Sequence, residues 1–253
     1  MKKFFGLIVI SLFITSCSTT SLTKSQKTPD QVLSESGREP SSETPQNLKN
    51  YDPHKIDPVF LRTQADYHFT LAEAYSLEGK VDQAIQEYKL TLVYDPHSPR
   101  VRLCLAKELG RKEMLVQAVD QAEMAVKLDP DMAEAHLFLG SLYTASKLYE
   151  KAIDEYRFVM KLEPENNEAP LYVGAILAEQ KKYDESISHF KTVVKKSSQP
   201  HLFHYYMGRV ELERENKKEA EVALKKAVEA KPDFLEAVTT LGGLYESDNK
   251  LEQ

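Results

Sequence analysis

Cysteine is nearly absent from this 253-residue chain, with one at position 17 and one at 104. A disulfide framework, the usual support of small secreted folds, is therefore excluded. Glycine is sparse too, nine residues beside twelve prolines, which rules out a collagen-like chain. Basic charge is in deficit: 33 Lys and Arg face 39 Asp and Glu, giving a formal charge of −6 and a pI near 5.7. No basic domain stands out, and phosphate binding needs clustered cations that release counterions, so nucleic acid is not an expected partner. What is present, 42% hydrophobic and 28% charged residues, fits a soluble globular protein.

One apolar run breaks this pattern. After Lys2 and Lys3, residues Phe4 to Ile14 are apolar except for Gly6 and Ser11. This matches a signal-peptide core and falls well short of the roughly 20 residues of a membrane-spanning helix. Thr15, Ser16 and Cys17 follow. The stretch Ile14-Thr15-Ser16-Cys17 resembles the lipobox of bacterial lipoproteins, which implies a signal peptide over 1–16 and a diacylglyceryl group on Cys17. Ser18 in place of Asp resembles the pattern sorted to the outer membrane. On this reading Cys104 is left without a partner cysteine, and its apolar helical position makes it a buried thiol.

From Ser18 to about Pro58 the chain is rich in Ser, Thr, Pro and charge, with few large apolar residues. Such a segment cannot bury enough surface to offset its ordering entropy, so residues 17–58 are expected to form a disordered tether. Residues 59–253 repeat with a period of 34, in units beginning at Ala65, Pro99, Ala133, Asn167, His201 and, incompletely, Leu235. The eighth place is always small: Ala72, Ala106, Gly140, Gly174, Gly208, Gly242. Twelve residues on, Ala84, Ala118, Ala152, Ser186 and Ala220 form a second small column. Tyr75, Tyr143 and Tyr245 follow the first column, and Tyr88, Tyr156 and Phe190 the second. Small residues at fixed places let two helices approach closely, while the aromatics fill the space beside them. Prolines 96, 130, 164 and 232 stop each second helix. Each unit is thus an antiparallel helix pair that must stack on its neighbours.

The pattern resembles the tetratricopeptide repeat over residues 65–253. The resemblance implies an all-α, right-handed superhelical α-solenoid. There are departures: Leu109, Ala122 and Glu211 occupy aromatic places, and Ser198 stands where Pro is expected, with Pro200 behind it. Unit six supplies one helix, near Leu235 to Ser247, whose outer face keeps Leu241, Gly242, Leu244 and Tyr245. We expect the natural protein to continue beyond Gln253; otherwise that face docks a partner or a second copy.

No phosphate loop, no His-Glu-x-x-His pair and no Gly-x-Ser-x-Gly elbow occurs. His68, His136 and His204 repeat at one place, but equivalent helices two units apart are about 20 Å distant, far beyond a shared metal bond of about 2 Å. They are expected to pack in place of aromatics. No enzyme activity, metal, cofactor or small-molecule substrate is expected. The resemblance assigns a partner groove to places two, five, nine, twelve and thirteen. Place five reads Phe69, Leu103, Leu137, Leu171 and Tyr205, an apolar strip. Arg100, Lys107 and Arg111 share a helical face, and Arg209 adds a further cation. The strip is expected to hold a peptide of an envelope protein, with the trio pairing to acidic side chains; half-buried packing and a solvated charged face are the alternatives. The carboxylate clamp of the chaperone-binding members is absent, since its places hold Phe69 and Glu73, or Leu137 and Ser141. The overall layout is similar to that of the type IV pilus pilotins. This implies a scaffold facing the periplasm, an assembly factor for a secretin, or a scaffold for a peptidoglycan hydrolase.

Overall fold

The computed structural model describes residues 57–247. The expected signal peptide, lipidated Cys17 and most of the expected tether lie outside them. Among the described residues there are eleven α-helices and no strand. They are α1 (Pro58–Leu77), α2 (Val81–Tyr94), α3 (Pro99–Arg111), α4 (Leu115–Leu128), α5 (Ala133–Ala145), α6 (Tyr149–Leu162), α7 (Glu168–Glu179), α8 (Tyr183–Val193), α9 (Pro200–Glu213), α10 (Lys217–Ala230) and α11 (Leu235–Ser247). The all-α class of consecutive helix pairs is as expected. The chain divides into two compact units, one ending at Ala135 and one beginning at His136.

Helix starts follow local chemistry. Pro58, Pro99 and Pro200 stand at the first positions of α1, α3 and α9, where a missing N–H costs nothing. The Asp57 side chain accepts from the Val59 amide at 2.9 Å, and Ser98 caps α3. The helix α1 therefore begins at Pro58, seven residues ahead of the repeat register. In unit four, α8 ends early at Val193. Ser197 Oγ then donates to Asn167 Oδ1 at 2.6 Å and accepts from the Gln199 amide at 2.8 Å. The Pro missing at 198 is thus replaced by a hydroxyl cap, and Pro200 opens the next helix.

Every hairpin turns in the same way. Gly79, Glu113, Lys147, Lys181 and Glu215 stand 34 residues apart and all have positive φ, between 58° and 74°. Each donates its N–H to the carbonyl three residues back, and the following N–H reaches five back, as in Gly79→Ser76 at 3.1 Å and Lys80→Tyr75 at 2.9 Å. This pair of hydrogen bonds satisfies the terminal carbonyls of the first helix. Only the first of the five is glycine; the other four hold an L side chain in a region that favours glycine.

In the first unit α1 packs on α2, α2 on α3, and α3 on α4. The small places Ala72, Ala84, Ala106, Ala118 and Ala122 are fully buried, as is Tyr88. In the second unit glycines take the eighth place. A Cβ on Gly140 would lie 2.8 Å from the Tyr156 ring, one on Gly174 would overlap Phe190, and one on Gly208 would lie 2.8 Å from Leu224. Helix α9 packs on α8 and α10, and α11 on α10. Exposed ties join successive hairpins within each unit: Lys112 to Asp82, and Arg214 to Asp184 at 2.9 Å.

Candidate functional site

The candidate binding residues lie on the first helices of the repeats, α1 and α3 in the first unit and α5, α7 and α9 in the second. On α1 and α3 the Arg100 guanidinium sits over the Phe69 ring, 5.4 Å from its centroid. Phe69 is half-buried and Arg100 exposed. Arg100 makes no ion pair among the described residues.

The other two members of the expected basic trio do not join Arg100 in a free cationic face. Lys107 Nζ lies 2.5 Å from Glu134 Oε1. Arg111 Nη1 grips both oxygens of Glu108 at 2.9 and 3.0 Å. Glu108 is almost wholly buried, 4% exposed, and also accepts from Ser76 Oγ at 2.6 Å. A buried carboxylate requires such partners, since an isolated one is very costly. Arg111 is thus committed to holding α3 on α1. Leu103 is a second correction. It is fully buried, one of eight buried residues that α3 places between Val101 and Gly110.

In the second unit Leu137, Leu171 and Tyr205 are half-buried. Leu171 packs against the cluster of Phe190 and Phe203. Tyr205 meets Phe234 edge-on at 5.2 Å and Tyr206 at 5.4 Å. The Arg209 guanidinium lies 5.9 Å from the Tyr205 ring and 6.0 Å from that of Tyr206. Nearby, burial raises the Glu213 carboxyl above its usual range; Arg209 opposes the rise and Glu179 adds to it.

Sequence reasoning missed a column of ties inside the hairpins, each spanning 19 residues. His68 Nδ1 lies 2.7 Å from Glu87 Oε2, Arg102 Nη1 donates to Gln121 Oε1 at 3.0 Å, His136 Nδ1 lies 2.6 Å from Glu155 Oε2, and His189 Nε2 meets the Pro170 carbonyl at 2.9 Å. The repeated spacing, with a polar residue at one or both ends, was the available signal. In unit five the column fails: Ala223 stands opposite His204, whose Nδ1 is buried with no hydrogen-bond partner. Burial lowers the proton affinity of both His189 and His204.

The histidines therefore serve packing and hairpin ties. Among the described residues no group of three His, Cys, Asp or Glu is placed to hold a metal ion, and no helix is long and apolar enough to cross a membrane. Cys104 is buried as expected, but its sulfur is disulfide-bonded and not a thiol. The count that left it alone presupposed acylation of Cys17.

Residues 105–158 and 174–233 match the family model of the tetratricopeptide repeat. The chain is similar to YrrB, described as a TPR protein with an unusual peptide-binding site, at 22% identity over 70% of this chain and 91% of that one, with a TM-score of 0.55. It is similar to MamA at 21% identity over 75% and 96% of the two chains, TM-score 0.59. A tetratricopeptide repeat protein from Parabacteroides merdae matches at 19% identity over 74% and 75%, TM-score 0.61. Identities this low establish the fold alone. No curated protein matches the chain.

Proposed function

We propose that this chain of tetratricopeptide repeats is a non-enzymatic adaptor of the bacterial envelope, holding a partner segment against the first helices of its repeats. The observation that carries the reading is Arg100, an exposed guanidinium stacked on Phe69 with no carboxylate of its own among the described residues. A cation held against a ring and left unpaired is positioned for an acidic partner side chain. The half-buried Leu137, Leu171 and Tyr205 supply apolar contact area in the second unit. The peptide-binding site described for YrrB supports the same use of the fold.

The test follows from the ion pairs. Reversing all three cations would strip Glu108 and Glu134 of their partners, so Arg100→Glu alone, with Phe69→Ala beside it, is the clean probe. Both should keep the helical circular dichroism and lose capture of the envelope partner. Undiminished capture by Arg100→Glu would remove this face from the site. Photo-crosslinking from position 137 or 171 in cells, read by mass spectrometry, identifies the partner.

The anchor and address belong to the same proposal. The Lys2-Lys3 start, the apolar run to Ile14 and Cys17 support lipidation, and Ser18 supports the outer membrane, with the repeats facing the periplasm. Acylation of Cys17 and its use as a disulfide partner exclude each other. The intact mass of membrane-extracted protein, taken with and without reductant, separates them: added acyl mass supports the anchor, and two thiols released by reductant overturn it. The pilotin-like layout makes secretin assembly the process to examine first. Loss of heat-stable secretin multimers in a deletion strain supports it, whereas altered wall-peptide profiles point to a hydrolase scaffold.

A further inference from the structure

The second helices of the second unit carry a cationic stripe. Arg157 on α6, Lys191 on α8 and Lys225 on α10 stand 34 residues apart, at one place of the repeat. Lys161 and Lys195 follow one turn later, and Lys196 and Lys226 flank the row. All are exposed, outside the helix faces that bury Tyr156 and Val159, Ile187 and Phe190, or Leu224 and Ala227. The stripe is local, since the whole chain has a formal charge of −6. Glu229 is the one carboxylate within residues 156–162, 190–196 and 224–230. In the first unit the row is broken: the same place holds Lys89 and then Glu123, followed one turn later by Val93 and Lys127.

Most of these cations lack a counter-ion. Among the described residues Lys225 pairs with Glu221 at 2.9 Å, and the other six make no ion pair. Burial lowers the proton affinity of His189, its bond to Pro170 opposes this, and the Arg157 charge lowers it further. The Arg157 guanidinium of α6 therefore stands near α8. Like charges on second helices about 10 Å apart repel one another, and an anionic surface relieves that repulsion. The segment ahead of the repeats does not supply one, because residues 18–56 hold five cations and five carboxylates. Helix α8 already has α7 and α9 packed on it, so its exposed face is set by neighbours within the unit.

The chemistry of the stripe selects among anionic partners. All but Arg157 are lysines, and lysine is depleted in protein interfaces, which rely on buried aromatic and Arg anchors. Val222 is the single large apolar residue exposed on α6, α8 and α10, too little for the core of such an interface. Flexible ammonium groups suit headgroup phosphates, which can move sideways to meet them. We propose that this stripe lies against an anionic phospholipid bilayer and holds its phosphates through Arg157, Lys191, Lys195 and the cations beside them. The inference rests on neither the Arg100 face nor acylation of Cys17.

The test adds the full chain to two vesicle populations in one tube, phosphatidylcholine alone and an equal mixture of phosphatidylcholine and phosphatidylglycerol. An acyl anchor enters both alike, so the ratio between them reports charge recognition. Enrichment on the anionic vesicles is expected at low ionic strength and should vanish near about 1 M salt, where the Debye length is about 3 Å. Combining Arg157→Glu, Lys191→Glu and Lys195→Glu should lower the enrichment at least about tenfold, since each cation near such a surface contributes about fivefold. Combining Arg62→Glu, Lys89→Glu and Lys127→Glu makes the same charge change at exposed residues of the first unit and should alter it little. Should the first combination shift the melting curve, Arg157→Gln with Lys191→Gln and Lys195→Gln replaces it, with a loss in the same direction. Equal distribution of the unaltered chain between the two populations would overturn the proposal, as would equal losses in the two reversed combinations. Stripe-dependent binding of polyglutamate, without enrichment on anionic vesicles, would overturn it in favour of an acidic protein.

Discussion

The two compact units meet one packing demand with different chemistry. Both must bring paired helices close at the eighth place of each repeat. The first unit does so with alanines, Ala72 and Ala106, and in its second hairpin Ala106 and Ala122 are both small. It adds a buried polar centre, Glu108 held by Ser76 and Arg111. The second unit removes the Cβ altogether and fills the space with rings, Tyr156 against Gly140 and Phe190 against Gly174. One unit is thus specified partly by directed hydrogen bonds, the other mainly by ring volume. Volume errors should hurt the second most, and charge errors the first.

Phe190→Ala should have the largest effect, about 3–5 kcal/mol by denaturant unfolding, because it empties the space that Gly174 makes available. A loss below about 1 kcal/mol would show that the ring packing is not what holds the second unit. Arg111→Ala should cost about 3 kcal/mol, since it leaves the Glu108 charge buried with Ser76 alone. Glu108→Gln should cost less, because no charge is then stranded, and Arg111→Ala in that background should add little. A double-mutant cycle showing no coupling would break the account of the polar centre.

Gly174→Ala should destabilise by about 1–3 kcal/mol through overlap with Phe190, although alanine is the better helix former. Gly242→Ala, with open space around it, should instead stabilise by up to about 1 kcal/mol. Equal effects at the two glycines would remove the distinction between a filled and an empty socket. The melting temperature should fall as pH drops below about 6.5, the ordinary histidine value, because burial holds the folded-state pKa of His189 and His204 below that of the unfolded chain. The stability they contribute is complete above the unfolded value and is lost as pH falls through the folded one. His204→Gln should flatten this dependence. The smallest effects belong to the turns: Lys147→Gly and Lys181→Gly should each stabilise by about 0.5–1 kcal/mol by relieving positive φ.

Most of the fold was legible in the sequence, and less of the candidate site. The helix pairs, their turns and the small columns all recur at 34 residues, so each is visible as a repeated local choice. Leu235 to Ser247 was expected as a helix and is one. The basic trio was also visible as a helical face, but its availability was not. Lys107 meets Glu134 and Arg111 supports a carboxylate bonded to Ser76, and such partners lie on other helices. The 19-residue ties are hard to see in the sequence, because His, Arg and Pro at one place do not look alike as residues.

Sequence alone determined the period, the helical hairpins and the crowding of small residues, since these follow from backbone propensity and the 3.6-residue spacing of side chains along a helix. Tertiary structure decided which of those side chains remained available. It buried Leu103, bonded Ser76 to the Glu108 carboxylate that Arg111 holds, paired the Cys104 sulfur and left Gly242 facing open space. The burial of Leu103 and the Ser76 bond to Glu108 depend on helices distant in sequence, whose approach is settled only when they pack.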